Sequence, residues 1–240
     1  MLYRIAFSSL RSLTPALAGS ILERVGSEES FFAISESQLS AIMGFKNRLF
    51  TASVRADALE EARKEVGFIE SSSITPLYFL DEAYPQRLLQ CEDAPLMLYG
   101  LGDCDLNSSR FISVVGTRHA TAYGTEFVNS LISELAEILP EKPVIVSGLA
   151  YGIDIAAHRA ALKAGLSTIA VLAHGLNTLY PSQHRPVAVE MVKGNGMLLT
   201  DYRSSATIHK GNFLARNRIV AGLSDALIVV ESAAKGGALV

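Results

Sequence analysis

The chain has 240 residues, 49% apolar and 19% charged, which leaves room for one large and one small cored domain and excludes disorder as the starting reading. Its longest apolar runs, such as Thr168 to Ala173 and Ala226 to Val230, are strand-length, far short of the roughly 20 residues that cross a bilayer, so no membrane span is expected. A net charge of −3 argues against a protein that holds nucleic acid by bulk charge alone.

The charge is unevenly spread. Residues 1–109 carry 9 Lys and Arg against 15 Asp and Glu, while residues 110–240 carry 12 against 9 and all five His. An acidic accessory part joined to a part that tolerates an anionic ligand is one account of this; chance is the other. The start, MLYRIAFSSLRSL, has an early Arg but neither a continuous apolar stretch nor a small-residue cleavage site. It does not read as a signal peptide, and a cytoplasmic location is expected. Cys91 and Cys104 are too few and too far from any His cluster for zinc, and a reducing compartment leaves them as thiols.

Residues 1–70 predict a small all-α bundle of three short helices. Thr14 with Pro15 starts the first and Gly26 stops it; Ser35 with Gln38 forms a capping box for the second, which ends at Gly44. The third runs from about Asn47 to Val66, with Leu49, Phe50, Val54, Leu59, Ala62 and Val66 roughly on one face and Gly67 as its stop. The intervening GFKNR is either a helix–hairpin–helix-like turn that meets phosphates or a plain connection. Residues 71–110 form a bridge with two strand-like runs around a Pro-led helical turn. Its Tyr78, Phe79, Tyr84, Leu88, Leu98 and Tyr99 need a core to pack against, and the following domain is the nearest.

From Phe111 to residue 240 the pattern changes. FISVVG, PVIVSG, STIAVLAHG, GMLLTDY and ALIVVES are near-continuous apolar runs, as for parallel strands covered on both faces. Helix-patterned segments at about 122–138, 152–164, 182–193 and 212–222 lie between them. The alternation predicts a Rossmann-like α/β fold with a doubly wound, mainly parallel sheet.

Ligands of such a sheet sit beyond the carboxyl ends of the strands. After the first run come Gly116, Thr117 and Arg118; after the second come Ser147 and Gly148, then Gly152 and Asp154 at a helix start. Glycine there lets backbone N–H groups approach an anion, and a helix N-terminus adds about half a positive charge, so both turns are candidate phosphate sites. Neither has G-x-G-x-x-G spacing and no G-x-x-x-x-G-K-[ST] occurs, so bound NAD or ATP is disfavoured and no cofactor or metal is expected. Arg118 is either a phosphate clamp or a surface arginine paired with a carboxylate. Asp154 and His158, four apart, have the spacing of an acid/base or zinc pair but lack nameable further ligands, which favours a structural reading in which His158 is a local partner. In the late segment HKGNFLARNR, Lys210 offers a charge, Gly211 a close approach and Phe213 either a base-stacking face or a core ring. Asn217 belongs to the same stretch; Arg216 and Arg218, two apart on a helix, cannot share a face, so at most one points at a ligand.

Taken together, YPQRLLQCEDAPLMLYGLGD, VVGTRHATAYG, VSGLAYGIDIAAHRAAL, HGLNTLYPSQH and KGNFLARNRIVAGLSDALIVVESAAKGGAL resemble the DNA-processing protein DprA (Smf) family in their order along nearly the whole chain. The resemblance implies a SAM-like helical domain before an extended Rossmann fold, single-stranded DNA binding, a homodimer, and loading of RecA recombinase during natural transformation. It implies phosphate contacts at Gly116 and Arg118 and at Lys210 and Phe213, with Ser147 to Asp154 in the same pocket. Family members continue past the position of Val240, so surfaces for pairing and RecA contact are expected there. Two other readings stand beside this one. A nucleotide-hydrolysing enzyme of the lysine-decarboxylase-like group is echoed by Glu231 and Gly236–Gly237, although its PGGxGTxxE arrangement is absent. A purely structural interaction module would bind neither ligand.

Overall fold

The computed structural model describes residues 1–232. Five helices occupy the first part: α1 (Leu2–Ser8), α2 (Pro15–Val25), α3 (Glu28–Ala33), α4 (Glu36–Met43) and α5 (Ala52–Glu70). Their starts follow from side-chain oxygens that satisfy free N–H groups. Thr14 accepts from Leu17 N–H, Ser27 from Ser30 N–H, and Ser35 with Gln38 closes the capping box. Gly26 and Gly44 end α2 and α4 at φ of 89° and 78°, where an L side chain is strained.

Helices α1 and α3 are additions to the three that the pattern predicts. Neither is long; α1 is held because Ile5, Ala6 and Phe7 are fully buried, and the buried Arg55 guanidinium donates to the free carbonyls of Phe31 and Ile34 at the end of α3. Helix α5 also departs from expectation at both ends. Asn47 caps only a single tight turn, Arg48–Phe50, before the extended Thr51, and the helix then passes through Gly67 to Glu70. A glycine in a helix costs about 1 kcal/mol but stops nothing by itself.

The sheet contains β1 (Ile74–Tyr78), β2 (Met97–Gly102), β3 (Phe111–Gly116), β4 (Val144–Ser147), β5 (Thr168–Val171), β6 (Met197–Thr200) and β7 (Ala226–Val230), in the order β1-β2-β6-β5-β4-β3-β7. The β1–β2 and β2–β6 pairs are antiparallel and the other four parallel, so the bridge adds two strands to a Rossmann-like, mainly parallel sheet. Helices α6 (Ala122–Ile138), α7 (Ile153–Lys163), α8 (Arg185–Lys193) and α9 (Lys210–Gly222) connect the later strands.

Alternation along the strands sorts the core into two layers. Ile112 and Val114 of β3 and Ile145 of β4 pack with α6 and α7, while Ala170 and Leu198 pack with α7 and α8. On the other face Phe111, Val146 and Val171 pack with Ile219 and Val220 of α9 and with Leu223 just after it, in one cluster that runs on into the helical bundle. Glu65 of α5 strengthens that junction: its buried carboxylate accepts from both the amide and the hydroxyl of Ser204, in the loop feeding α9. Strands β3 to β6 step steadily in one direction. Helix α9 then carries the chain back to place β7 on the other side of β3, which puts the reversal of winding at the β3–β7 boundary.

Among the described residues no helix is long and apolar enough to cross a membrane. Both cysteines are free.

Candidate functional site

At the β3–β7 reversal a cleft of about 620 Å³ opens beyond the strand ends. Gly116, Thr117 and Arg118 line it from the turn after β3, Gly148, Ala150 and Asp154 from the turn after β4, and Lys210, Phe213, Arg216 and Asn217 from α9. Spacing on α9 explains its share: residues 210, 213, 217 and 220 recur at three or four, so they present one helix face.

Phe213 is part of the rim and not of the core. Its ring lies 5.3 Å below the Arg118 guanidinium and 5.7 Å from Tyr180, edge to face. Tyr180 is an exposed lining residue of the cleft. Its position depends on His174, whose Nε2 accepts from Tyr180 N–H at 3.1 Å; Nδ1 therefore carries the proton and donates to Gly175 O at 2.9 Å. Lys210 and Arg118 are exposed on this one cleft. Gly211 is exposed beside Lys210, and Asn212 anchors the helix start by donating to the carbonyls of Ala173 and Thr207.

The floor is a buried arginine. Arg216, 4% exposed, donates to Val171 O and lies so close under Gly148 that a Cβ there would fall 1.8 Å from its Nη1. Burial lowers its affinity for its proton, and the nearby Asp154 carboxylate works against that. For Asp154 the same burial pushes the carboxyl up, with the Arg216 charge pulling the other way.

The two glycine turns are less open to phosphate than their sequences imply. The N–H of Ile153, first in α7, already donates to Thr117 O at 3.1 Å, and Asp154 Oδ2 accepts from Ala150 N–H at 3.4 Å. Thr117 N–H donates to Glu231 O. Gly152 sits at φ 74° against the first turn, where a Cβ would lie 2.1 Å from Thr117 O, so it serves the junction of the two turns. Leu149 holds φ 57° between them, a left-handed conformation that costs a non-glycine residue roughly 1–2 kcal/mol.

Besides Gly152 and Gly211, which do not line this cleft, two expected contacts fall elsewhere. Ser147 is fully buried and its hydroxyl donates to Val114 O, because a strand-end serine on a covered sheet must find a partner inside. Arg218 projects from another side of α9, where it donates to Asp201 and to Asp93 O. His158 does not pair with Asp154: its Nδ1 meets the Thr168 hydroxyl at 2.8 Å. Among the described residues no cluster of His, Cys, Asp and Glu is arranged to hold a metal. No residue of the GFKNR turn lines this cleft.

The family model described as DNA recombination-mediator protein A matches residues 75–240, a span that includes every lining residue of the cleft. The chain belongs to the DNA recombination-mediator protein A family. Relatives agree: protein Smf of Synechocystis sp. is 30% identical over 99% of this chain and 60% of its own length. DNA processing protein DprA of Streptococcus pneumoniae is 39% identical over 67% of this chain and 55% of its own. The chain thus spans 60% or less of these two relatives. Among solved structures of the family, that of S. pneumoniae DprA matches 100% of this chain and 81% of its own at a TM-score of 0.77 and 31% identity. A structure of DNA processing protein A from Helicobacter pylori, described for its single-stranded DNA binding mode, matches 69% of this chain and 73% of its own at 0.60 and 34%.

Proposed function

We propose that the cleft grips single-stranded DNA without covalent chemistry, and that the chain serves as a recombination mediator that protects incoming strands and loads RecA recombinase in natural transformation. One observation carries the binding step: the Arg118 guanidinium, the Phe213 ring beneath it and Lys210 all meet on one cleft. Cations that track phosphates beside an aromatic face that stacks bases are how single strands are held without sequence readout. The H. pylori relative, whose structure concerns single-stranded DNA binding, supports the same ligand class. The RecA step and a homodimer rest on the family resemblance alone.

Anisotropy with a fluorescent oligothymidylate tests the binding step. Arg118→Ala and Lys210→Ala should each weaken binding about fivefold at 0.1 M salt, the worth of one phosphate contact at a slope of about −0.7. Wild-type affinity in both variants would remove the cleft from the path. The hydrolase reading leaned on Glu231, whose carboxylate accepts from Thr121 N–H and its hydroxyl at the start of α6. These bonds lower its carboxyl pKa from the ordinary value and favour a capping role over that of a base. Gly236 and Gly237 lie outside the described residues. Release of free base from nucleoside monophosphates would revive that reading.

A further inference from the structure

On the far side of Arg118 lies a second cleft, of about 410 Å³, between the starts of α6 and α7. Arg118 lines both clefts, so the two adjoin at that residue. The lining of the second joins basic and polar side chains to Ala120, Ile155 and Ala156. His119 and Arg159 join Arg118 on its walls, Thr125 and Asn129 add hydrogen-bonding groups, and no carboxylate lines it, in a chain of net charge −3. Neither Arg118 nor Arg159 forms an ion pair among the described residues.

An aromatic ring completes the wall. Tyr151 is 40% exposed, yet it is fixed: its hydroxyl donates to Gln183 Oε1 at 3.0 Å, and its ring meets His184 at 5.0 Å, edge to face. A ring already immobilised loses little freedom when a flat ligand stacks on it. Cations, amide and hydroxyl groups and a pinned ring repeat the main cleft's composition on the other side of a shared arginine.

We infer that the second cleft is a nucleotide subsite for the same strand, with Arg159 holding a phosphate and Tyr151 stacking a base after the strand passes Arg118. The inference rests on the reading of the main cleft as a single-strand site. It makes Arg118 a contact between successive nucleotides and gives the site a minimum strand length.

The test titrates the full chain with fluorescent oligothymidylates of increasing length. Arg159→Ala should bind a short strand that fills only the main cleft as the wild type does. It should bind a long strand about fivefold more weakly at 0.1 M salt, with a logarithmic salt slope shallower by about 0.7. Arg159→Lys should restore most of that loss. Tyr151→Leu should lose about fivefold or more on the long strand, as a lost stacked base would, and Tyr151→Phe should not. Lys210→Ala should lose affinity at every length. If Arg159→Ala and Tyr151→Leu match the wild type on long strands while Lys210→Ala does not, the second subsite is overturned and the main cleft stands. If Lys210→Ala also matches the wild type, the reading of the main cleft has failed first.

Discussion

Gly148 shows how a single absent Cβ sets the shape of the main cleft, because the Arg216 guanidinium occupies the space an alanine methyl would need. Gly148→Ala should therefore displace Arg216 and cost about 1–3 kcal/mol, the usual range for forcing a methyl into a filled site. Urea unfolding would check this: the midpoint should fall with the slope unchanged. A second residue-scale consequence concerns His158. The Thr168 hydroxyl donates to Ile145 O, so it accepts from His158 Nδ1–H and leaves a bare, buried Nε2 without a partner among the described residues. Burial holds this imidazole's pKa down to about 3, against 6.5 ordinarily. The unfolded chain takes up a proton below 6.5 that the folded one refuses, so the stability is complete above that pH. It falls as the solution is acidified towards 3, by about 1.4 kcal/mol per pH unit at most. His158→Asn, which keeps a donor near Nδ1, should flatten the dependence over that window; equal pH slopes in the two proteins would show that another group causes it.

At the level of elements, helix α9 divides its residues between tasks by their angular position. Arg218 faces Asp201 and Asp93 and not the cleft, so Arg218→Ala should leave oligonucleotide affinity unchanged while lowering stability by about 1–3 kcal/mol, since Asp201 loses its partner. A loss of affinity without loss of stability would return Arg218 to the ligand. This division was half legible in the sequence: the two-residue spacing shows that Arg216 and Arg218 part ways, but only the packing of Val171 and Gly148 decides which goes inward. The parallel strands were legible because strands covered on both faces are nearly continuous apolar runs, as Phe111 to Val115, with Ser113 the one polar residue, and Val144 to Val146 are. Helix α1 was not, because LYRIAFS has no side-chain cap and draws its stability from the burial of Ile5 and Phe7. The glycine turns misled in the opposite way. Their composition suits an anion, yet Thr117 O already meets the first α7 amide, that of Ile153, a pairing that joins residues over thirty positions apart and leaves no local signal, and Asp154 meets the amide of Ala150 just before the helix.

Across the whole molecule, the helical bundle and the sheet share one apolar cluster, and Glu65 links α5 to the loop that leads into α9. The bundle should therefore melt with the sheet: far-ultraviolet dichroism and tyrosine fluorescence are expected to report one coincident transition. Glu65→Gln weakens an acceptor that takes three hydrogen bonds and should lower that transition in both signals together; two separated transitions would show the parts to be independent.

Arg216 has a final consequence for how the cleft attracts an anion. Counterions crowd around Arg118 and Lys210, which stand in solvent, but they cannot reach a guanidinium sealed beneath backbone. On the proposed reading, the attraction on a phosphate would have one part that brine erases and one part, offset in part by the Asp154 carboxylate beside Arg216, that persists. Because that buried charge is immobile before any strand arrives, no freedom is lost in aiming it.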